Sequence, residues 1–377
     1  MVGKVVQLTP IADDKIAEEM HRAYPELDRV RDASEVPVYL VGGAVRDLLL
    51  GRGRADIDLV VEGDAEALAT ALGASPVSHS RFATAKVDLD GHEVDIATAR
   101  TETYPHPGAL PEVEPAATVE EDLARRDFSV NAIAIPLRGE PLPVDPHGGR
   151  ADLEAAQLRV LHPGSFEDDP TRAIRAARYA ARLGFSLEPD TERLLRAADL
   201  ETISDDRREA ELLRLAAEAT APEAYALLAE WGLVELRDGG VELARRVAEL
   251  LELPLWDLRE KRHEIVHAAA AGEAGGEAAL LEASPASPSE GVALAAAYGE
   301  VEHALARAGG AGWLDDYRER WSKVELEIDG EDLIAAGVDQ GRALGRGLAE
   351  ARRAKIDGEI SGREEELAAA LAAAGEA

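Results

Sequence analysis

Asp56-Ile57-Asp58 runs directly into Leu59-Val60-Val61, and this doublet is the part of the chain best suited to chemistry. Side chains alternate along a strand, so Asp56 and Asp58 point to one face while Ile57 points to the core. Two carboxylates so placed suit Mg2+, which takes a few hard oxygen ligands and keeps room for substrate phosphates. Ions held this way can activate an attacking hydroxyl and hold a leaving pyrophosphate. An edge strand with two solvated acids is the bland alternative, and what precedes the doublet weighs against it. Val38-Tyr39-Leu40-Val41 reads as a buried strand ending at Gly42-Gly43, with helix-compatible residues from Ala44 onward. Strand, glycine turn and helix make an anion site. Backbone N–H groups of Gly42 and Gly43 can approach a triphosphate, the helix N-terminus adds its dipole, and Arg46 offers a guanidinium fork. A phosphate cradle close to paired carboxylates points to metal-dependent nucleotidyl transfer.

Two further clusters carry charge in useful patterns. Arg125-Arg126-Asp127 offers two cations and an acceptor, which suits a nucleotide's phosphates and its 2′-hydroxyl. A salt-bridge cluster opening a strand over residues 128 to 135 would use the same residues. In Asp169-Pro170-Thr171-Arg172, Pro170 fits the first helical position and makes Asp169 a natural N-cap, although a carboxylate has a second oxygen to spend. From that cap Arg172, Arg175, Arg178 and Arg182 recur at helical spacing, with Ile174, Ala177, Ala181 and Leu183 largely on other faces. Beside a nucleotide site such a stripe is a phosphate-facing wall; elsewhere it is a solvated face.

The elements that must position these residues follow from periodicity and turn chemistry. Residues 86 to 89 and 92 to 97 read as a hairpin turning at Asp90-Gly91, which makes Asp95 a possible third metal carboxylate. Residues 98 to 118, with Pro105, Pro107 and Pro111, read as a long loop without regular structure. Residues 191 to 232 alternate Leu/Ala and Arg/Glu faces at helical period, and residues 203 to 209 fit a turn followed by a capped helix. Residues 241 to 320 read as alanine-rich helices, broken by a Ser/Pro loop at residues 283 to 289. His79, His92 and His106 lack metal-ligand spacing and read as structural.

Gly42-Gly43-Ala44-Val45-Arg46-Asp47 with Asp56-Ile57-Asp58 resembles the signature of the polymerase-β-like nucleotidyltransferases, specifically the bacterial-type tRNA nucleotidyltransferase and poly(A) polymerase family. Residues 125 to 132 resemble its ribose-reading block, residues 145 to 153 its connecting block, and residues 168 to 172 its base-reading block, with Asp168 where Glu is usual. The resemblance implies an α+β fold. A mixed head (36–145) would follow a lead segment (1–35) and precede a helical neck (146–215), body (216–320) and tail (321–377). It implies that Asp169 and Arg172 read the Watson–Crick edge of the incoming base, that Arg175 and Arg178 also contact the nucleotide, and that the partners are CTP, ATP and a tRNA 3′ end. The tail resembles the family's tRNA-elbow-contacting segment, making Arg342, Arg346, Arg352 and Arg353 tRNA-binding candidates. A loop comparable to residues 98 to 118 accompanies terminal A addition in the family and is shortened in C-only enzymes. The implied activity is addition of 3′-terminal CCA with release of pyrophosphate. An A-only enzyme and a poly(A) polymerase are the nearest alternatives, and a non-catalytic RNA-binding protein a remote one. Residues 81 to 87, Arg-Phe-Ala-Thr-Ala-Lys-Val, resemble the run of the tRNA enzymes more than the arginine-rich counterpart of poly(A) polymerases.

Composition bounds this reading. The 377 residues leave room for several domains, and the absence of cysteine excludes disulfides and zinc–cysteine sites. No long apolar stretch or signal-peptide pattern is present, so a cytoplasmic protein without a membrane partner is expected, and no feature calls for an obligate protein partner. With 41 basic against 74 acidic residues the net charge is −33, which opposes nonspecific nucleic-acid binding. The expected resolution is distribution, with arginine gathered at the site and acids on the outer faces, a balance that also suits a salty habitat.

Overall fold

Val38–Val41 forms β1, the strand from which the site is built, and Gly43–Leu49 forms the short helix α1 directly after it. The computed structural model describes residues 11–73, 84–272 and 275–375. These fall into two compact units, residues 1–215 with 226–233, and residues 216–225 with 234–377. The expected head and neck lie in the first unit, and most of the expected body and the tail in the second.

In the first unit β2 (Ile57–Val61), β3 (Thr84–Leu89) and β4 (His92–Thr98) join β1 and β7 (Ala134–Pro136) in a five-stranded sheet of order β3-β4-β2-β1-β7. β2 and β4 run parallel, with Asp58 opposite Asp95, and all other pairings are antiparallel. Ile57 and Leu59 are buried while Asp58 between them faces out, the alternation that the doublet implied. The β3–β4 hairpin turns at Asp90 and Gly91, both with φ positive (56° and 84°), as a two-residue hairpin turn requires. Val41, Val60, Ala99, Leu123 and Ala134 share the core behind the site.

Two expectations are corrected. Residues 98 to 118 are not irregular throughout, because β5 (Arg100–Thr103) pairs antiparallel with β6 (Glu112–Pro115). Pro105, Pro107 and Pro111 fall in the connection between these strands and Pro115 at the end of β6, where a missing N–H does not break a ladder. Residues 128 to 135 are not one strand: Ser129–Asn131 forms a 3-10 turn, and only Ala134–Pro136 joins the sheet. That turn aims Asn131 inward.

Three helices complete the site. Val119–Ala124 (α2) opens with a capping box from Thr118 and Glu121. Thr171–Leu183 (α3) ends at Gly184 in the left-handed region, and Asp205–Ala216 (α4) follows Ser204, whose hydroxyl accepts from the Arg207 N–H. The second unit is helical. At its C-terminal end Ile328, Leu333, Ala351 and Ala370 form a small core around α5 (Arg342–Ile356). The fold is therefore α+β, a mixed head followed by helices, and no helix among the described residues is long and apolar enough to cross a membrane.

Candidate active site

A cavity of about 810 Å³ opens in the first unit above Gly42, Gly43 and Asp58. Gly42 holds φ at 69°, and a Cβ there would lie 3.0 Å from Arg126 Nη1 and 3.8 Å from Asp58 Oδ2. Glycine is thus required both by the backbone and by the closeness of a cation and a carboxylate.

Arg125 and Arg126 are set by Asp122, a fully buried carboxylate on α2. Its Oδ1 accepts from Arg125 Nε and Nη2 (2.9 and 2.8 Å), and its Oδ2 from Arg126 Nε and Nη2 (3.2 and 2.9 Å). Burial raises the Asp122 carboxyl pKa, but the two guanidiniums outweigh it and hold the group below its ordinary value. Asp127 is also buried. Its Oδ1 accepts from Phe128 N (2.8 Å) and Asn131 Nδ2 (3.0 Å), and its Oδ2 pairs with Arg175 at 3.0 Å. Burial again opposes ionisation, and Arg175, Asn131 and Arg172 reverse it.

Asp58 stands apart from these. Burial raises its carboxyl pKa; Arg126 opposes that shift, while Asp95 and Asp56 reinforce it. Asp95 lines the floor with Asp58 while Asp56 lines neither cavity, and no cluster of three metal-ligating side chains forms among the described residues. Asp58 and Asp95, opposite each other on β2 and β4, are the hard-oxygen donors that a divalent cation would meet. Asp95 lies 3.4 Å from Lys86 Nζ, its neighbour across the β3–β4 hairpin. A second cavity of about 410 Å³ lies against Asp58, lined by Thr84, Lys86 and Asp95 and sharing Arg125 and Arg126 with the first.

Elsewhere along the large cavity Asp169, which precedes Pro170 at the N-cap position of α3, bonds the start of that helix. Its Oδ1 accepts from Thr171 N (3.1 Å), Thr171 Oγ1 (2.6 Å) and Arg207 Nη2 (3.1 Å), so capping and an ion pair fall on one oxygen. Arg172, 2 % exposed, donates to Ser165 Oγ at 2.6 Å and to the Arg125 carbonyl at 2.9 Å, with its guanidinium 5.9 Å from the Tyr104 ring centre. The Nε atoms of Arg172 and Arg175 are buried without a hydrogen-bond partner among the described residues. Each leaves one buried donor without an acceptor from the described residues.

The β5–β6 connection closes this part of the cavity. Burial pushes the Tyr104 hydroxyl up to about 12, and it donates to Glu102 Oε2 at 3.1 Å. Gly108 has φ at 69°, and a Cβ there would come within 2.5 Å of the Thr202 carbonyl. Its N–H bonds the Glu167 carbonyl and its own carbonyl accepts from Arg207 Nη1 at 2.6 Å. Arg207 therefore clamps the connection and Asp169 together.

Arg46 does not do what its spacing suggested. It is 3 % exposed, its guanidinium bonds both Asp47 carboxylate oxygens (2.8 and 3.0 Å) and Asn131 Oδ1 (2.7 Å), and it does not line the cavity. With its fork spent on Asp47, it positions Asn131 and supports the Tyr179 ring at 5.4 Å. Arg178 lines the cavity over the other contact of that ring, at 4.9 Å, whereas Arg182 leaves the wall to pair with Asp47 at 3.3 Å. In the second unit Arg342, Arg346 and Arg352 are exposed on α5, but Arg353 is bonded to Glu350, Asp357 and Glu359, because the C-terminal acids surround it. Arg81 to Ala83 of the tRNA-enzyme-like run, His79 and the first ten residues of the lead segment lie outside the described residues.

Sequence reasoning missed Asp122, Tyr179, Arg207, Glu211 and Arg214. Asp122 was legible, lying three and four residues before Arg125 and Arg126 on a helix. Glu211 and Arg214 reach the cavity only because α4 packs there, which no local pattern announces.

Sheet, cradle and acidic floor together define a nucleotidyltransferase head, and residues 38–159 match the poly A polymerase head domain. A CC-adding tRNA nucleotidyltransferase of Deinococcus radiodurans is 37% identical over 363 residues, 90% of each chain. An A-adding tRNA nucleotidyltransferase of Geobacter sulfurreducens is 43% identical over 204 residues, which are 50% of this chain and only 23% of that relative's length. A solved CCA-adding enzyme superposes with a TM-score of 0.75 at 28% identity, covering 96% of each chain. The chain belongs to the tRNA nucleotidyltransferase and poly(A) polymerase family.

Proposed function

We propose that the protein is a template-independent tRNA nucleotidyltransferase that builds or repairs the 3′-terminal CCA from CTP and ATP and releases pyrophosphate. One observation carries this reading: two cavities, of about 810 and 410 Å³, meet at Asp58, so a nucleotide and an RNA 3′ end can approach one carboxylate from two sides. In the larger cavity the ligand-facing groups are graded. Gly42, Gly43 and Arg126 stand beside Asp58, where the triphosphate belongs, and Asp169 with Arg172 stands at the far end, where the base belongs.

Asp169 Oδ2 is the acceptor left for the amino group that C and A share, and Arg172 Nε the donor for a ring acceptor beside it. U and G present the opposite pattern at that edge and leave both groups unpaired. Arg125 and Arg126, fixed by Asp122, orient phosphate oxygens, Arg178 extends that wall, and Arg175, paired with Asp127, stands between it and Arg172. Asp56 and Asp58 would hold Mg2+, with Asp95 the nearest further carboxylate. When bound, the ion supplies activation of the RNA 3′-hydroxyl for attack on the α-phosphate and charge stabilisation of the leaving pyrophosphate. Exposed Arg342, Arg346 and Arg352 are the tRNA contacts we assign to α5, and tRNA maturation makes the cytoplasm the working compartment.

A CC-only enzyme is the second reading, favoured by the relative that spans 90% of both chains. The hairpin between β5 and β6 supports CCA instead, because Tyr104 and Pro111 wall the base end and Gly108 is clamped through Arg207 to Asp169. Transcripts ending at the discriminator base, at C and at CC, offered CTP, ATP or both with Mg2+, separate the readings by product length. CCA completion is expected. Products that stop at CC with both nucleotides present would replace it with the CC-only reading, and untemplated A runs with a poly(A) polymerase.

A further inference from the structure

Glu211 lines the nucleotide cavity from α4 and has no part in the reading above. It is 6 % exposed; its Oε1 pairs with Arg214, and its Oε2 is buried with no hydrogen-bond partner among the described residues. An unpaired buried carboxylate oxygen costs stability, so a chain that keeps one has a donor waiting elsewhere. The phosphates of a nucleotide are anionic and supply no such donor. A nucleotide offers two kinds, amino groups on the base and hydroxyls on the ribose.

Position along the helices chooses between them. On α3 successive ligand-facing residues are Arg172 beside Asp169, then Arg175, then Arg178 and Tyr179, whose ring contacts Arg46 on α1. A helix advances about 5.4 Å per turn, a step comparable to the one from base to ribose to α-phosphate. α4 presents the same ladder: Arg207 bonds Asp169 at the base rung, and Glu211 follows one turn later, where its charge acts on Arg175. The middle rung is therefore the ribose rung. Asp127, its other carboxylate, already accepts from Phe128 N, Asn131 and Arg175. Glu211 Oε2 is the unspent acceptor.

We propose that Glu211 Oε2 accepts a hydrogen bond from a ribose hydroxyl of the incoming nucleotide and is a specificity-determining residue for ribonucleotides over deoxyribonucleotides. The proposal rests on the reading that Asp169 and Arg172 face the base. Its test compares CTP, 2′-deoxy-CTP and 3′-deoxy-CTP, by binding and by single addition to a tRNA transcript, in the parent, Glu211→Leu and Glu211→Met, with thermal melting of each. Both variants should melt at or above the parent temperature, since an unpaired buried oxygen has gone. The preference for CTP over at least one deoxy analogue should fall about tenfold, the loss expected when a hydrogen bond to a charged acceptor is removed. Preference for CTP over UTP should stay near parental. An unchanged sugar preference in a folded variant overturns the proposal, as does a loss of base selection equal to the loss of sugar selection. Asp169→Ala, measured alongside, keeps the two readings apart. If it loses base selection while the Glu211 variants keep sugar selection, this proposal alone fails; if it keeps base selection, the base reading fails.

Discussion

Asp58 lines the cavity, Asp122 lies fully buried behind the arginines that wall it, and the two carboxylates have opposite fates. Asp122 is enclosed by Arg125 and Arg126, receives four hydrogen bonds from them, and is held by them below the ordinary carboxylate pKa. Asp58 faces Asp95 and Asp56 as well as Arg126, and is held toward its neutral form. The arginines divide in the same way, with Arg46 saturated by Asp47 and Asn131 while Arg172 and Arg175 each keep an orphaned Nε. Charge spent inside the protein builds the wall, and charge left unspent is what the proposed substrate and ion would meet.

The largest effects should come from the floor. Asp56→Ala or Asp58→Ala should reduce transfer by at least about a thousandfold in steady-state assays, because hydroxyl activation and pyrophosphate stabilisation go together. Asp58→Asn should do the same while raising the melting temperature of metal-free protein near pH 7. A carboxyl whose folded pKa is raised contributes stability only at low pH, and this is lost as pH rises through that value. Asp122 has the opposite sign. Its depressed pKa gives stability present above about 4 and lost as pH falls through the lower folded value, so Asp122→Asn should flatten the acid limb of the stability curve. Asp122→Ala leaves Arg126 without its carboxylate and Arg125 with Glu102 alone, and should cost about 3 kcal/mol by chemical denaturation. If Asp58→Asn destabilises as much as Asp122→Asn does, the contrast between floor and wall collapses.

Asp169→Ala comes next, losing about 1 kcal/mol as a cap and, if its second oxygen reads the base, the preference for C and A over U and G. Nucleotide competition on the folded variant checks it. Replacing residues 104 to 111 with a short turn should leave C addition and stall the product at CC, since the base end loses its lid while both carboxylates remain. Loss of all three additions together would show that the hairpin has no role specific to A. The smallest effects belong to α5. Arg342→Ala or Arg352→Ala should raise the KM for tRNA a few-fold at low salt and Arg353→Ala less, because the charge of Arg353 is already matched by three acids.

What the sequence disclosed follows from the range over which each feature is determined. The β1–glycine–α1 turn, the Asp56/Asp58 doublet, the Asp90–Gly91 hairpin and the cap at Asp169 are set by residues within a few positions of one another, and each could be read. Arg46 was misjudged because its rotamer is decided by Asn131, eighty-five residues away. The hairpin at residues 100 to 115 was hidden by prolines whose permitted places, in a connection and at a strand end, emerge only once the pairing is known. Glu211 and Arg207 were invisible as site residues for the same reason: their address is the packing of α4 on the cavity.

The most direct measurement is a crystal structure with Mg2+ and a non-hydrolysable CTP analogue. The account predicts metal on Asp56 and Asp58, the triphosphate between Gly42 and Arg126, and the cytosine amino group on Asp169 Oδ2 with Arg172 Nε beside it. A nucleotide bound with its base away from Asp169, or metal held without Asp58, would contradict it.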